Sequence, residues 1–290
     1  MLFENIKSER EKLDIASACR ALNVSRSWYT DWINQSGNTK NDDRKLIQQI
    51  KQIIGKTRRY GYRRVTAELH RQKIIVNHKK VLKIMGENSI LCRKKKAFKP
   101  KTTDSNHDLK TYPNLIEDLV VNRLNQVWAS DITFVYLEND VVYLATVIDL
   151  FSRKCIGWNL RENMETQLCL DALNMALEER KGINLKGLIH HSDQGSQYCS
   201  NDYTNELEEQ SIKISMSRKA TPTDNAHAES FFKTVKYEEV YMNEYQTFDD
   251  AYKNIKKFIE EVYNKKRLHS AIGYKPPAEF EQKILKKIVA

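Results

Sequence analysis

The part of the chain that follows residue 126 has an order of predicted strands and helices that few folds share. Apolar, β-branched runs predict three strands in succession, and Asn139 with Asp140 predicts a hairpin turn between the first two. Helical and strand-like patterns then alternate. The predicted strands are 127–137, 141–150, 153–160, 187–193 and 211–217, and the predicted helices are 166–180, 201–210, 224–241 and 248–263.

Three strands followed by alternating helices and strands describe a mixed five-stranded sheet with helices packed against it. This order, β-β-β-α-β-α-β-α, matches the ribonuclease H-like fold. We therefore expect an α/β core of that class over residues 116–245 and a C-terminal helical extension over residues 246–290.

The first 95 residues have an all-α pattern. In Leu13–Trp32 an apolar helical face precedes Asn23, which suits a left-handed turn, and Ser25, which can cap a second short helix. This is a helix-turn-helix layout, in which Arg26 and Ser27 begin the helix that would contact base edges. A plain helical hairpin would have the same pattern. Two further helices follow, and we expect the second to begin after Asn77 and to end at Gly86.

Positive charge is concentrated in this helical region. Residues 1–112 contain 26 Lys and Arg against 11 Asp and Glu, whereas residues 113–290 have a net charge of −5. A basic region binds phosphate backbones through counterion release, although a solvated basic face would give the same counts. The candidate DNA contacts, some of them interleaved with tyrosines that would equally suit a core edge, are Arg26, Ser27, Arg58, Arg59, Arg63, Arg64, Lys79, Lys80, Arg93, Lys94, Lys95 and Lys96.

A basic and polar stretch separates the two halves. The run RKKKAFKPK has six basic residues in nine, and the polar run TTDSNHD follows it closely. Such a stretch cannot build a core. We therefore predict a helix-turn-helix-type DNA-binding region at residues 1–95 and a linker at residues 96–115.

Composition excludes other classes of protein. No apolar run approaches the ~18–20 residues that cross a bilayer, and the charged N-terminus has no apolar segment typical of a secretion signal. The five cysteines form no CxxC pair, which indicates reduced thiols in a cytosol-like compartment. We expect no membrane association.

Three carboxylates fall at one end of the predicted sheet. Asp131 lies on the first strand, Asp193 follows the fourth strand, and Glu229 lies in the first turns of a late helix. Their spacing alone is weak evidence because acidic residues are common. Their surroundings are more distinctive, with the sequences WASDIT, HSDQGSQY and TDNAHAESFFKTVK.

Together with YGYRRVTAEL and YNKKRLHSAIGYKPPAEF, these motifs resemble the OrfB-type transposases of bacterial insertion sequences. That family belongs to the DDE superfamily, which also contains retroviral integrases. The resemblance implies that Asp131, Asp193 and Glu229 are the catalytic and metal-binding residues and that Lys236 contacts DNA. Lys236 would otherwise be a solvated surface lysine, and Lys233 could pair with Glu229 as a simple helix salt bridge.

The implied chemistry suits these side chains. Phosphodiester cleavage needs an activated water or 3′-hydroxyl and a stabilised leaving oxygen, which two Mg²⁺ ions about 4 Å apart provide. Carboxylate oxygens favour Mg²⁺ or Mn²⁺ over softer metals. Without metal, clustered carboxylates repel one another, which raises the pKa of at least one of them.

The resemblance also implies the partners and the reaction. The protein would bind the terminal inverted repeats of its insertion sequence and catalyse metal-dependent strand cleavage and strand transfer into target double-stranded DNA. It would act as a homo-oligomer on DNA, in the bacterial cytoplasm with the nucleoid, and the family's usual fusion to an upstream reading frame leaves room for an upstream-frame partner protein. The alternatives are a DNA-binding regulator with an inactive catalytic domain and a ribonuclease H-like nuclease or resolvase.

Neighbouring polar residues have structural interpretations. We expect Asp149 to bind the turn that follows its strand and Asp224 and Asn225 to cap the helix of the late acid. Of His190 and His191, one should face the core and the other the cleft, since successive strand residues point to opposite faces.

Overall fold

The computed structural model describes residues 15–21, 23–57, 59–92, 109–219 and 221–289. The chain divides into two compact units, Met1–Arg93 and Lys94–Ala290. No described helix combines the length and the apolar character that crossing a bilayer requires. The helices of the first unit are α1 (Ile15–Ala21), α2 (Arg26–Lys56), α3 (Tyr62–Arg71) and α4 (His78–Glu87).

The first unit begins with the predicted helix-turn-helix layout. Asn23 is left-handed, with φ 53°, and the Ser25 hydroxyl accepts a hydrogen bond from the Trp28 amide at the start of α2. The prediction of a short second helix is wrong, because α2 continues for 31 residues. The polar stretch in its middle contains no proline, and its single glycine, Gly37, costs only about 1 kcal/mol in a helix.

The next two helices pack together as a hairpin. α3 and α4 contact each other, and each has buried apolar residues, among them Leu69 and Met85. Asn77 caps α4 as predicted, since its side chain accepts a hydrogen bond from the Lys79 amide at 2.8 Å. The helix does not end at Gly86 but one residue later.

The second unit contains a five-stranded mixed sheet in the order β3-β2-β1-β4-β5. Each strand lies within a predicted run, except that β3 continues one residue further, to Arg161, and this agreement confirms the expected α/β, ribonuclease H-like core. The strands are β1 (Val127–Tyr136), β2 (Val141–Asp149), β3 (Cys155–Arg161), β4 (Ile189–Ser192) and β5 (Lys213–Met216).

β1 is the central strand, and its two neighbours run in opposite directions to each other. It pairs antiparallel with β2, which pairs antiparallel with β3. On its other side β1 pairs parallel with β4, with Ala129 opposite His191, and β4 pairs parallel with β5. The carboxyl ends of β1 and β4 therefore point toward the same edge of the sheet.

Helices cover both faces of the sheet. Adjacent β2 residues Leu144 and Ala145 belong to different apolar clusters, as expected for side chains that alternate between two faces. The cluster around Ala145 includes residues of α5 (Thr166–Glu179), α6 (Ser196–Cys199) and α7 (Asn201–Glu209). The cluster around Leu144 includes residues of α8 (Ala226–Glu238), α9 (Phe248–Lys257) and the π-helical segment Phe258–Tyr263.

A glycine allows α5 to approach the sheet closely. A Cβ at Gly157 in β3 would lie 2.1 Å from the carbonyl oxygen of Ala172, so any larger residue would push the helix away. Close packing of this kind is sensitive to a single added methyl group.

The last helix, α10 (Pro277–Val289), is attached to the same unit by a buried ion pair. Arg180, just after α5, donates to the Glu281 carboxylate at 3.1 Å, and the Ser152 hydroxyl donates to it at 2.7 Å. Glu281 is 4% exposed and Arg180 is 5% exposed. The C-terminal helical segment is thus part of the folded unit that contains the sheet.

Candidate active site

Asp131 and Asp193 occupy corresponding positions on neighbouring strands. Ala129 pairs with His191 in the parallel ladder, and Asp131 and Asp193 each come two residues later in the chain. Residues two apart along a strand share a face. Asp193 directly follows β4, where its Oδ1 accepts a hydrogen bond from the Gly195 amide at 3.0 Å.

Glu229 lies in the first turn of α8, which contacts β1. Its side chain is exposed. The 3₁₀ turn Pro222–Asn225 leads into this helix. The prediction that Asp224 and Asn225 cap the helix is wrong, because Asn225 has no capping bond and its Nδ2 instead donates to the Ser130 carbonyl at 3.0 Å.

Asp224 is held by Arg218 instead. The Arg218 amide and guanidinium both donate to the Asp224 carboxylate, at 3.0 and 2.9 Å, and the guanidinium also pairs with Glu117 at 2.6 Å. These hydrogen bonds lower the pKa of Asp224 to about 2. These bonds connect the start of the segment between β5 and α8, at Arg218, with its end, at Asp224.

The pKa of Asp131 reflects the other two acids. Burial raises it most, and the charges of Asp193 and then Glu229 raise it further, so that it lies well above its usual range. The Ile132 amide, which donates to Oδ1 at 2.8 Å, and the charge of Lys236 oppose this rise. The three carboxylates are therefore close enough to interact electrostatically, and a cation among them would relieve their repulsion.

Lys236 lies on the same helix as Glu229, two turns later. Its Nζ is 4.3 Å from the centroid of the Phe134 ring in β1. Burial lowers the pKa of Lys236, while the Asp131 charge acts in the opposite direction. Among the described residues, α8 forms an ion pair through Glu238, which binds Arg267 at 2.7 Å. No ion pair between Glu229 and Lys233 is found in this described part of the chain.

The remaining polar residues near the site are structural. Asp149 is fully buried and accepts hydrogen bonds from the Phe151 and Ser152 amides at 3.0 and 2.8 Å, as predicted for a turn-binding residue. The prediction that one histidine faces the cleft is wrong, because His190 and His191 are both fully buried. The Ser215 and Ser217 hydroxyls lie within hydrogen-bond distance of the two His191 nitrogens. At His190 the Ser130 and Tyr203 hydroxyls both lie near Nε2, while Nδ1 has no partner among the described residues.

The sequence is similar to that of known proteins over almost the whole chain. The sequence matches the integrase core domain family over residues 121–222 and again, through a second such family, over residues 210–277. It matches an HTH-like domain over residues 40–98, later in the chain than Leu13–Trp32. It is 37% identical to the insertion element IS600 uncharacterized 31 kDa protein of Shigella sonnei, over 91% of this chain and 97% of that protein. The transposase InsF for insertion sequence IS3A of Escherichia coli is 35% identical over 98% of this chain and 100% of its own length.

The chain belongs to the insertion-sequence transposases of the DDE superfamily. It is a DNA transposase and, as such, a polynucleotidyl transferase, which confirms the resemblance found in the motifs. Among solved structures, a simian T-cell lymphotropic virus intasome has a TM-score of 0.45 with 16% identity, covering 80% of this chain and 73% of that one.

The donor set of this transposase suits a hard divalent cation. Within the described residues no three His, Cys, Asp or Glu side chains are gathered closely enough to bind one ion by themselves. Mg²⁺ does not need such a group, because it is usually held by one or two carboxylates, with water and substrate phosphate as its other ligands. Asp131 with Asp193, and Asp131 with Glu229, would each supply two carboxylates.

The predicted DNA contacts of the transposase lie mostly on its first unit. Arg26 and Ser27 are exposed in the first turn of α2, and Lys79 is exposed in α4. Lys80 pairs with Asp43 at 2.7 Å. Arg59 is half-buried, and Arg63 and Arg64 of α3 lie over the Tyr62 and Tyr60 rings, at 5.5 and 5.7 Å. The predicted contacts Arg58, Arg93, Lys94, Lys95 and Lys96 lie outside the described residues.

Several residues around the acids had no signal in the sequence. Three contacts join residues that lie between 6 and 102 positions apart in the sequence. They are the Lys236 ammonium over the Phe134 ring, the hydrogen bonds from Arg218 to Asp224, and the hydrogen bond between Asn225 and Ser130. Hydrophobic periodicity and motif spacing carry no information on such pairs. The nearest signal is the position of Ser130 and Asn225 inside the quoted motifs, next to Asp131 and shortly before Glu229.

Proposed function

We propose that this transposase cuts and joins DNA at the ends of its own insertion sequence, with Asp131, Asp193 and Glu229 as the catalytic carboxylates. The observation that carries the proposal is the register of β1 and β4, which gives Asp131 and Asp193 corresponding positions. The effect of Asp193 and Glu229 on the pKa of Asp131 supports a single acidic site.

In the proposed reaction, a water oxygen forms a bond to phosphorus at the end of the element, and the O3′–P bond breaks. The freed 3′-hydroxyl then attacks a target phosphodiester, whose own O3′ leaves with a proton. When bound, two Mg²⁺ or Mn²⁺ ions would neutralise phosphate charge and lower the pKa of the attacking hydroxyl. Asp131 would hold both ions, and Asp193 and Glu229 would hold one each.

The position of Lys236 suits a contact with DNA beside the acids. Its ammonium group lies over the Phe134 ring and is close enough to Asp131 to interact with its charge, and a phosphate entering the site would bring it a counter-charge. The first unit, with the exposed Arg26, Ser27 and Lys79, would bind the terminal inverted repeats. We keep residues 1–95 as the DNA-binding region, 96–115 as the linker, 116–245 as the catalytic core and 246–290 as the C-terminal extension.

The reaction also suggests how the protein assembles. Two element ends must be held together with target DNA, so we propose a homo-oligomer on DNA, located with the nucleoid. Activity of the purified chain alone would show that no upstream-frame partner is needed.

A nicking and joining assay tests this proposal. Purified protein is incubated with Mg²⁺ or Mn²⁺ and labelled duplexes copied from the DNA that flanks its gene, beside unrelated duplexes of equal length. We expect nicks at a defined terminal position and joined products that depend on metal. Equal cleavage of unrelated duplexes would contradict the proposal. Binding to the ends without any nick, in the presence of metal and of the upstream-frame partner, would contradict it too.

A further inference from the structure

Three separate elements carry the three acids, and something must hold those elements in a fixed relation. Asp131 is in the middle of β1, Asp193 follows β4, and Glu229 begins α8. Carboxylates that share cations have to be placed within a fraction of an ångström. Ser130, the residue before Asp131, touches the other two elements.

The hydroxyl of Ser130 reaches β4. Its Oγ lies 2.8 Å from Nε2 of His190, three residues before Asp193, and the Tyr203 hydroxyl of α7 lies 2.9 Å from the same nitrogen. Ser130, His190 and Tyr203 are each at most 1% exposed. Burial lowers the pKa of His190 to about 3, so the ring is neutral and the contact is a hydrogen bond between uncharged groups.

The carbonyl of Ser130 reaches α8. The ladder between β1 and β4 ends at Ala129, and one residue later the Asn225 side chain binds the β1 backbone at 3.0 Å. Asn225 is buried and directly precedes α8, four residues before Glu229. A break in this bond would free the start of the helix from the strand of Asp131.

We propose that Ser130, through His190 on one side and Asn225 on the other, positions the three carboxylates relative to one another and so sets the affinity of the site for divalent cations. This inference rests on the proposed function, since it takes the three acids to be the metal ligands. Ser130, His190 and Asn225 are positioning residues, because their contacts are with the elements that carry the acids. Removing such supporting hydrogen bonds typically weakens metal binding ~10–100-fold.

The test is Mn²⁺ binding by the full chain without DNA, measured from the free-ion signal in electron paramagnetic resonance titrations. The variants are Ser130→Ala, which removes the hydroxyl contact, and Asn225→Ala, which removes the carbonyl contact. Ser152→Ala is the matched control, because its hydroxyl is equally buried and bonded, to Glu281 at 2.7 Å, but not to an element of the acids. Thermal unfolding in a chelator shows how much each variant loses in stability alone.

We expect Ser130→Ala and Asn225→Ala to bind Mn²⁺ at least ~10-fold more weakly than the wild type. Ser152→Ala should bind Mn²⁺ like the wild type while losing similar stability. If the wild type binds Mn²⁺ and both variants match Ser152→Ala, the inference is overturned and the proposed function stands. If one variant does not fold, the other decides by the same comparison. If the wild type binds no Mn²⁺ without DNA, this inference is overturned, while the nicking and joining assay still decides the proposed function.

Discussion

The buried ion pair between Arg180 and Glu281 predicts how strongly the last helix is tied to the catalytic unit. Glu281→Ala would leave the Arg180 guanidinium 5% exposed and without its carboxylate. Removing one partner of a buried pair destabilises a protein by about 3–5 kcal/mol. The Ser152 hydroxyl would also lose its acceptor, so we expect a value toward the upper end of that range.

The control lies two residues earlier on the same helix. Glu279 pairs with Lys283 at 2.7 Å, but Lys283 is half exposed. Because surface pairs contribute only about 0–1 kcal/mol, Glu279→Ala should unfold almost like the wild type. Urea unfolding of the full chain at neutral pH, followed by circular dichroism, gives both values.

Two results would refute this reasoning. Equal midpoints for Glu281→Ala and Glu279→Ala would show that α10 is not held by the buried pair. A loss confined to α10, with the main transition unchanged, would show that the C-terminal segment is an appendage to the core. The acid-pH limb offers a second check. Burial acts to raise the pKa of Glu281, but Arg180, Lys154 and Ser152 together lower it, so this stability should be lost as pH falls below the ordinary value of 4.5.

Three further predictions concern single side chains. Since burial and the charges of Asp193 and Glu229 raise the pKa of Asp131, the contribution of Asp131 to the stability of the metal-free protein should fall as pH rises above 3.8. The difference in stability between Asp131→Asn and the wild type should therefore shift in favour of the variant from about pH 4 to about pH 8, in thermal scans in a chelator. A steeper loss in the variant would contradict this. Lys236→Ala should reduce the salt slope of DNA binding by about one; an unchanged slope would remove Lys236 from the interface. Gly157→Ala should destabilise the core by about 1–3 kcal/mol or more in urea unfolding, and an unchanged midpoint would show that α5 can move aside.

Local patterns predicted the sheet because β1 and β2 are rich in apolar and β-branched residues, and the shorter strands lie in runs of their own between helical patterns. The order of the strands, the hairpin at Asn139 and Asp140, and the placement of Asp131 on β1 follow from such runs. The continuous α2 could not be predicted, since the polar stretch around Gly37 has no apolar face to show that it is helical.

The detail around the acids depends on contacts between distant parts of the chain. Asn225 looked like a helix cap because it precedes α8, yet its side chain binds Ser130, 95 residues away. One of His190 and His191 was expected to face the core and the other the cleft, but both rings are buried. Arg180 and Glu281 are 101 residues apart, and no local pattern links them.

The most direct test of the three-carboxylate site is DNA cleavage by the series Asp131→Asn, Asp193→Asn and Glu229→Gln. Asp202→Asn, an exposed acid in the first turn of α7, is the matched control. The account predicts that each of the three variants binds the element ends like the wild type but loses metal-dependent nicking and joining to background, while the control retains both. Full cleavage by any one of the three, at wild-type metal concentration, would contradict it.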